Sequence, residues 1–572
     1  MARRAPSPAA IGGLMVLAPI VFLAVFFALP LLWIGATSVS GVDPLSSYLE
    51  ILSSPTHLRS LGWTFGLAAI TAALTLVLGY PVAAAMVRSG PWMRMIILGC
   101  IMLPFWTSAL VRTFAWTSIL GRQGVVNTTL MALGLIERPL QLVFNPLGAI
   151  IGTTHLMLPY MIFALLANMQ RIDPALMRGA RSLGAGPLRS FFFVYLPHTM
   201  PGIASGLVLV FIISLGFFVT PAVLGGSQNP TVAVLIEQSM NKLLNFPMTA
   251  ALATVLLVMT LILYVLFNRQ IVSAFYISRT DTGAATATFK LIAFLDRLLA
   301  PLRRILPERV RAFGLRVNLN TPLALLIAII AAVPTLLIVL IAFFPSHALS
   351  VDFSKFSLRW FEQYFGRVEW MQATAISIAI AAITAVITAI LVLLAALGMR
   401  RLSGAARLAL IPVFLSPVIV PSVVYGLASY FLFAQIGLIG NPATLVLAHT
   451  VLAIPTSFLL VLVGVQGLDE RIENAAATLG ATPWQRLRVI VLPILLPVVA
   501  MSALLAFLTS FDDLNVALFL ASGNTKTLPK LIYDSIILDN DPRVTAASAV
   551  LVAISILGLG TMQLLRSRQS KR

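Results

Sequence analysis

The sequence predicts an all-α polytopic membrane protein of about twelve transmembrane helices, arranged as two six-helix halves in parallel orientation. Three observations predict it. Of the 572 residues 59% are hydrophobic and only 10% are charged, with a mean hydropathy of +0.99, too apolar for a soluble chain. Apolar runs of about twenty residues, the length a helix needs to cross a ~30 Å hydrocarbon core, recur in two groups of six. Each group also carries a polar island written in nearly the same letters. "LMRGARSLGAGPLRSFFFVYLP" at 176–197 and "IENAAATLGATPWQRLRVIVLP" at 472–493 share seven of their 22 residues.

The first group of runs lies near 13–36, 63–87, 95–120, 147–170, 200–222 and 249–268, and the second near 321–344, 371–397, 406–434, 443–467, 495–520 and 544–565. The opening "MARR" resembles the start of a signal peptide. The run 13–36 is longer than a usual secretory core and has no clear small-residue cleavage site, so it reads as an uncleaved first span. Run 406–434 contains Pro412, Pro417 and Pro421, which withdraw backbone donors and predict a bent or re-entrant segment. The halves are therefore 1–272 and 321–572. Between them 273–320, with nine basic residues from Arg269 to Arg316, reads as a connector whose simplest role is that of a linker.

The net charge of +19 invites a nucleic-acid reading, which its distribution removes. With the N-terminus on the cytoplasmic side, alternate loops and tails on that side hold 27 of the 38 Lys and Arg, the other side ten, and Arg112 lies within a span. This is the positive-inside bias of membrane proteins; it puts both termini, the connector and both polar islands in the cytoplasm. Cys100 is the single cysteine, which excludes an internal disulfide, and the five histidines (57, 155, 198, 347 and 449) show no metal-ligand spacing.

The repeat extends beyond the islands. At the same offset of 296, Pro159 matches Pro455, Asp173 matches Asp469, Pro201 matches Pro497, Ser214 matches Ser510 and Ser239 matches Ser535. An even number of crossings per half gives both copies one orientation, hence a parallel duplication about an axis along the membrane normal. Within each island Asp173 or Asp469 offers an N-cap, and Gly184 or Gly480 stands where a terminal glycine ends a short helix. Pro187 or Pro483 then restarts a helix that is expected to run to Leu196-Pro197 or Leu492-Pro493. Gly179, Ala180, Ala475, Ala476 and Ala477 leave a low helix face on which another protein can sit. The alternative is a helix lying on the bilayer surface; two copies at matched topology favour docking.

Two small residues, three others, glycine, a dozen residues and Leu-Pro: this pattern resembles the cytoplasmic coupling loop in membrane subunits of bacterial ATP-binding cassette importers. The usual leading glutamate is replaced by Arg178 and Asn474, with Glu473 one place early. "RTFAWTSILGRQGVVN" (112–127) and "TSFDDLNVALFL" (509–520) are similar to segments of the first and second permeases of spermidine/putrescine-type importers. The resemblance implies a type I importer-like fold made of two fused permeases in the bacterial inner membrane. It implies coupling-loop roles for Gly179, Ala180, Gly184, Ala185 and Pro197, and for Ala475, Ala476, Gly480, Ala481 and Pro493. It also implies two ATPase subunits, one under each half, and an extracytoplasmic solute-binding protein. None of the six lysines follows a glycine, so the chain has no phosphate loop of the Gly-Lys-Ser/Thr kind. It is not expected to be an enzyme or to bind a cofactor; ATP and Mg belong on the partner subunits.

Of the nineteen acidic residues only Asp512 and Asp513 lie inside an apolar run, and intramembrane carboxylates mark function by default. They are candidates to meet a cationic amine on the substrate path, with Trp116 and Tyr425 offering cation–π faces. The alternatives are a capped helix break and a pairing with Arg112 that fixes a gate. Their counterparts in the first half are Gly216 and Phe217. A polyamine-like solute is the expected cargo; ferric iron, an opine or another amine are alternatives. A secondary transporter or a channel remains as a rival class, though neither needs paired docking loops.

Overall fold

The structure is a computed structural model that describes residues 8–40, 43–275, 320–344, 346–347, 350–351, 356–538 and 541–569. Most of the connector expected at 273–320 lies outside the described residues. Among the described residues helices dominate, apart from one antiparallel pairing of Ser346–His347 with Ser350–Val351. Among the described residues nine helices are long and apolar enough to cross a bilayer, and two further pairs qualify only as bent spans. In the first half the spans are Ala10–Ser38, Pro55–Arg88, the pair Pro91–Phe105 and Ala109–Ala132, Pro146–Met169, Phe191–Leu215 and Phe246–Phe267. In the second they are Thr321–Ile341, Val368–Arg400, the pair Gly404–Val418 and Ser422–Gln435, Pro442–Gln466 and Pro483–Phe511. The twelfth expected crossing is the helix Arg543–Gln569, whose apolar part Arg543–Gly558 is shorter than the others.

Three sequence expectations are corrected. The third span is not straight: it turns by 99° after Phe105, as the ninth turns by 90° near its prolines. Pro104 stands one residue before that turn, and Thr107 holds it by donating back to the Pro104 carbonyl at 2.9 Å. The fifth and eleventh spans do not reach 222 and 520 but stop at Leu215 and Phe511, each followed by a break and a short helix, Val219–Leu224 and Ala517–Leu520. Finally, the helices after the glycine turns do not end at Leu-Pro. They pass through it by widening to one π turn, Phe191–Tyr195 and Leu487–Val491. A proline inside a helix has no N–H and crowds the carbonyl four residues back; a wider turn relieves that crowding. The first span does the same at Ala24–Ala28, just before Leu29-Pro30.

Each half lends its opening span to the other. Val16, Leu23, Phe27 and Ile34 of the first span are buried in a core shared with the second half, and Tyr425 donates its hydroxyl to the Phe26 carbonyl at 2.9 Å. That carbonyl is the one Pro30 cannot bond, so the contact supplies a missing donor across the seam. Reciprocally, Ala324, Ala328 and Ala331 of the seventh span are buried in the first half's core, and His155 Nε2 donates to the Ala331 carbonyl at 2.8 Å.

Candidate functional site

Two sites emerge, one on the paired polar islands and one at the seam between halves. In the islands Asp173 caps the helix Pro174–Ser182, accepting from the Ala175 N–H at 2.7 Å, and Asp469 caps Glu470–Thr478, accepting from the Arg471 N–H at 2.9 Å. Both helices end identically. The N–H of Gly184 bonds to the Arg181 carbonyl and that of Ala185 to the Ala180 carbonyl; Gly480 and Ala481 bond to Ala477 and Ala476, all at 3.0 Å. This is the doubly bonded Schellman ending, which needs a left-handed residue, and φ is +76° at Gly184 and +84° at Gly480. A Cβ would meet nothing within 4 Å at either glycine, so the requirement for glycine is conformational and not steric.

Sequence reasoning passed over one feature of these loops. Leu183 and Leu479, each just before its glycine, are 90% and 88% exposed. A large apolar side chain is held outward at the same place in both loops by a turn with the same bonds, the kind of exposed apolar group that marks contact surfaces. The signal was present: leucine is identical in both copies and is out of character in a polar helix. Pro197 and Pro493, in contrast, lie beyond the π turns, within the fifth and eleventh helices.

At the seam four breaks meet. A Cβ on Gly216, at the end of the fifth span, would come within 2.5 Å of Pro421, at the bend of the ninth. Conversely Asp512, at the end of the eleventh span, faces Ser108 and the backbone of Ala109, at the bend of the third, with Arg112 as its charged neighbour. Arg112 is the fourth residue of the helix after its bend and Tyr425 the fourth after its own, so the two occupy matching places in the two halves.

The acidic pair splits. Asp513 turns inward to cap the next short helix, its Oδ2 accepting from the N–H of Val516 at 2.9 Å and of Ala517 at 3.4 Å. It also lies 3.4 Å from Nε2 of His449, whose Nδ1 is hydrogen-bonded with Ser510 Oγ at 2.8 Å; Ser510 also reaches Thr384. Asp512 turns to the other half, with Oδ1 buried and without a hydrogen-bond partner among the described residues. Arg112 Nε and Nη1, the Trp116 indole N–H and His155 Nδ1 share that condition. Trp116 and His155 meet edge to face at 5.4 Å. Tyr425 stands apart from this group: its ring packs against Phe27 at 5.9 Å and its hydroxyl is committed to Phe26. The seam thus gathers one carboxylate, one guanidinium and several unanswered polar atoms. Such groups are costly in a low-dielectric interior and suit a polar solute or a closed gate.

Comparison with known proteins finds one family in both halves of the chain. The family described as "Binding-protein-dependent transport system inner membrane component" matches residues 75–273 and again 389–571. The chain is 32% identical over 261 residues to the spermidine/putrescine transport system permease protein PotB of Escherichia coli (strain K12), covering 44% of this chain and 94% of that relative. It is 32% identical over 251 residues to the putrescine transport system permease protein PotI of the same organism, covering 42% and 88%. Among solved structures, a bacterial alginate ABC transporter in complex with an alginate pentasaccharide-bound periplasmic protein aligns with a TM-score of 0.40 at 18% identity, over 45% of this chain and 92% of that one.

Proposed function

The chain belongs to the family of binding-protein-dependent transport system inner membrane components, carrying its domain twice, and on that premise we propose that it moves a polyamine-like solute inward by alternating access. Two ATP-binding cassette subunits dock on the loops 173–187 and 469–483, and a solute-binding protein delivers cargo to the opposite mouth. The observation that carries the docking role is the matched pair of rigid Schellman turns presenting Leu183 and Leu479. Orientation follows the charge bias, with both loops and both termini cytoplasmic. Closure of the ATPase pair would move the loops, and each loop continues without interruption into the fifth or eleventh helix, whose far end is a seam break. A stroke at the loop is thereby delivered to Gly216 or Asp512. Asp512 supplies the negative charge for an amine, and the likeness to spermidine/putrescine permeases supports that cargo.

The unpartnered nitrogens of Arg112 favour a second reading, a solute bearing a carboxylate as well as an amine, as an opine does. Proteoliposomes holding the chain, its ATPase partner and external binding protein separate the readings. Labelled spermidine or putrescine taken up only with internal ATP supports the first; uptake of an amino-carboxylate but not of a diamine supports the second. The chain alone is expected to hydrolyse no ATP. Uptake driven by a proton or sodium gradient without any ATPase would overturn both in favour of a secondary transporter.

A further inference from the structure

Beneath the second docking loop lies a cavity of about 470 Å³ between the first span, the end of the eighth and the start of the eleventh. Its lining includes the apolar Ile11, Met15, Leu397 and Val491. It also carries Arg400, Arg401, Arg486, Glu470 and Glu473. The acids are already engaged: Arg400 hydrogen-bonds Glu473 and lies 3.6 Å from Glu470. Three arginines against two glutamates leave one net positive charge; neither Arg401 nor Arg486 has an ion-pair partner among the described residues, and Arg486 Nε is buried with no hydrogen-bond partner there.

An apolar trough lies farther along the first span. A second concavity, of about 470 Å³, runs along the same first span over Leu14, Ala18, Val21, Phe22, Val25 and Phe26. Ile11, Met15, Ala18 and Phe22 follow one another at helical spacing on one face, so cavity and trough succeed one another along the first span. From Leu14 to Phe26 the helix rises about 18 Å, close to the depth of one leaflet of a ~30 Å core. A net-basic cavity beside a leaflet-deep apolar trough on the same span matches one kind of molecule. We propose that this is a binding site for an anionic phospholipid of the cytoplasmic leaflet, its phosphate on Arg401 and Arg486 and one acyl chain along the first span. Trp484, 65% exposed at the rim, suits the headgroup level.

The first half supplies an internal contrast. At the repeat offset Arg486 corresponds to Ser190; Arg401 directly follows the eighth span, and the residue directly after the second span is Ser89. The fold therefore does not require the basic pair. From the functional reading this inference takes only the orientation, so failure of the lipid site would leave the docking role standing.

The test uses the full chain, purified and stripped of lipid, titrated with phosphatidylglycerol, with phosphatidylcholine of the same chains, or with inorganic phosphate, and read by native mass spectrometry. One phosphatidylglycerol should be held in preference to phosphatidylcholine. Arg401→Ala with Arg486→Ala should weaken it roughly thirty-fold, taking about a tenfold change or somewhat less per basic side chain at a membrane surface. The corresponding double Lys variant should stay within about threefold of wild type, because the charge is retained. Equal retention of the two lipids by the wild type would overturn the site, as would undiminished phosphatidylglycerol in the alanine pair. Displacement of the lipid by equimolar inorganic phosphate would overturn it too, assigning the cavity to a free anion. Where the alanine pair aggregates, the headgroup preference of the wild type and the lysine pair decide the matter.

Discussion

In the first half the fifth span ends at Gly216-Phe217; in the second the eleventh ends at Asp512-Asp513, with the same length of helix, the same π turn and the same Leu-Pro behind it. The docking loops repeat the contrast. The end of the second span, Arg88, lies over the Tyr195 ring at 5.3 Å, whereas the end of the eighth, Arg400, is tied to Glu473 of the docking helix itself. What repeats is what the backbone demands: caps, left-handed glycines, prolines and the turns that absorb them. Charge was free to diverge, and it gathered on the second half. A symmetric scaffold therefore carries an asymmetric seam and two polar islands that are held differently.

The largest expected effect tests what the halves share. Leu183→Asp and Leu479→Asp replace an exposed knob with a charge at no cost to the isolated chain. On docking, each forfeits the burial of a leucine, about 1.5–3 kcal/mol, or roughly ten- to a hundred-fold in ATPase affinity per site. Each single variant should co-purify with less ATPase, and the double variant with none. Undiminished co-purification of the double variant would remove the knobs from the interface.

Next come the turns that aim those knobs. Gly480→Val and Gly184→Val place a β-branched residue at positive φ, costing about 1–2 kcal/mol with no steric addition, since nothing lies within 4 Å of either Cβ. Assembly and uptake should fall about five- to thirty-fold, membrane insertion should persist, and both loops should respond alike. A strong effect at one loop with none at the other would show that the two are not equivalent docking sites.

A smaller and one-sided effect is expected at the seam. Asp512→Asn removes a charge that faces the other half, so uptake should fall about tenfold, in line with the roughly 1.5 kcal/mol or more that a charged hydrogen-bond partner contributes. Asp513→Asn keeps an acceptor for the Val516 N–H and should cost less. If Asp512 only secures a gate with Arg112, the same variant should instead raise ATPase activity in the absence of binding protein. Moving the charge to the first half is not an option, because any side chain at Gly216 meets Pro421. Equal loss at both aspartates would contradict the split between them.

The sequence was most informative where chemistry is local. The spans, the duplication, the Asp caps and the glycine turns all follow from residue type and spacing. The ninth span's bend was legible from three prolines. The third span's bend was not, because one proline precedes it and its turn is held by Thr107 through a contact with Thr335 of the seventh span at 3.2 Å, a partner hydropathy cannot name. The same limit explains the overlong fifth and eleventh spans: the chain stays apolar through Phe217 and Phe218 and through Leu514 and Val516, while tertiary contacts break the helix. It also hid the partner of Tyr425, whose hydroxyl meets a carbonyl that Pro30 leaves free. Asp512 and Asp513 stood out as a pair, but only their surroundings tell them apart.

The smallest expected effect probes the difference in how the loops are held. Arg400 and Glu473 are about one-fifth exposed, at 19% and 23% of their side chains, so their tie is worth under about 1 kcal/mol once solvent screening is counted. Arg400→Ala should leave the ATPase bound, since the knob and the turn are intact, but it frees the second docking helix from the eighth span. Part of each stroke is then lost in the loop, and two- to threefold more ATP should be hydrolysed per solute moved. Arg88→Ala removes a cation–π contact to a residue of the π turn and no ionic tie to the docking helix, so the ratio should change less. Arg400→Glu combined with Glu473→Arg restores the tie in reverse and should bring the ratio back, an outcome that packing alone would not produce. High salt should mimic Arg400→Ala in the wild type and do nothing further in the variant. A ratio that moves equally for Arg88 and Arg400, or that the charge reversal fails to rescue, would mean that both loops transmit alike and that the ionic tie is incidental to coupling.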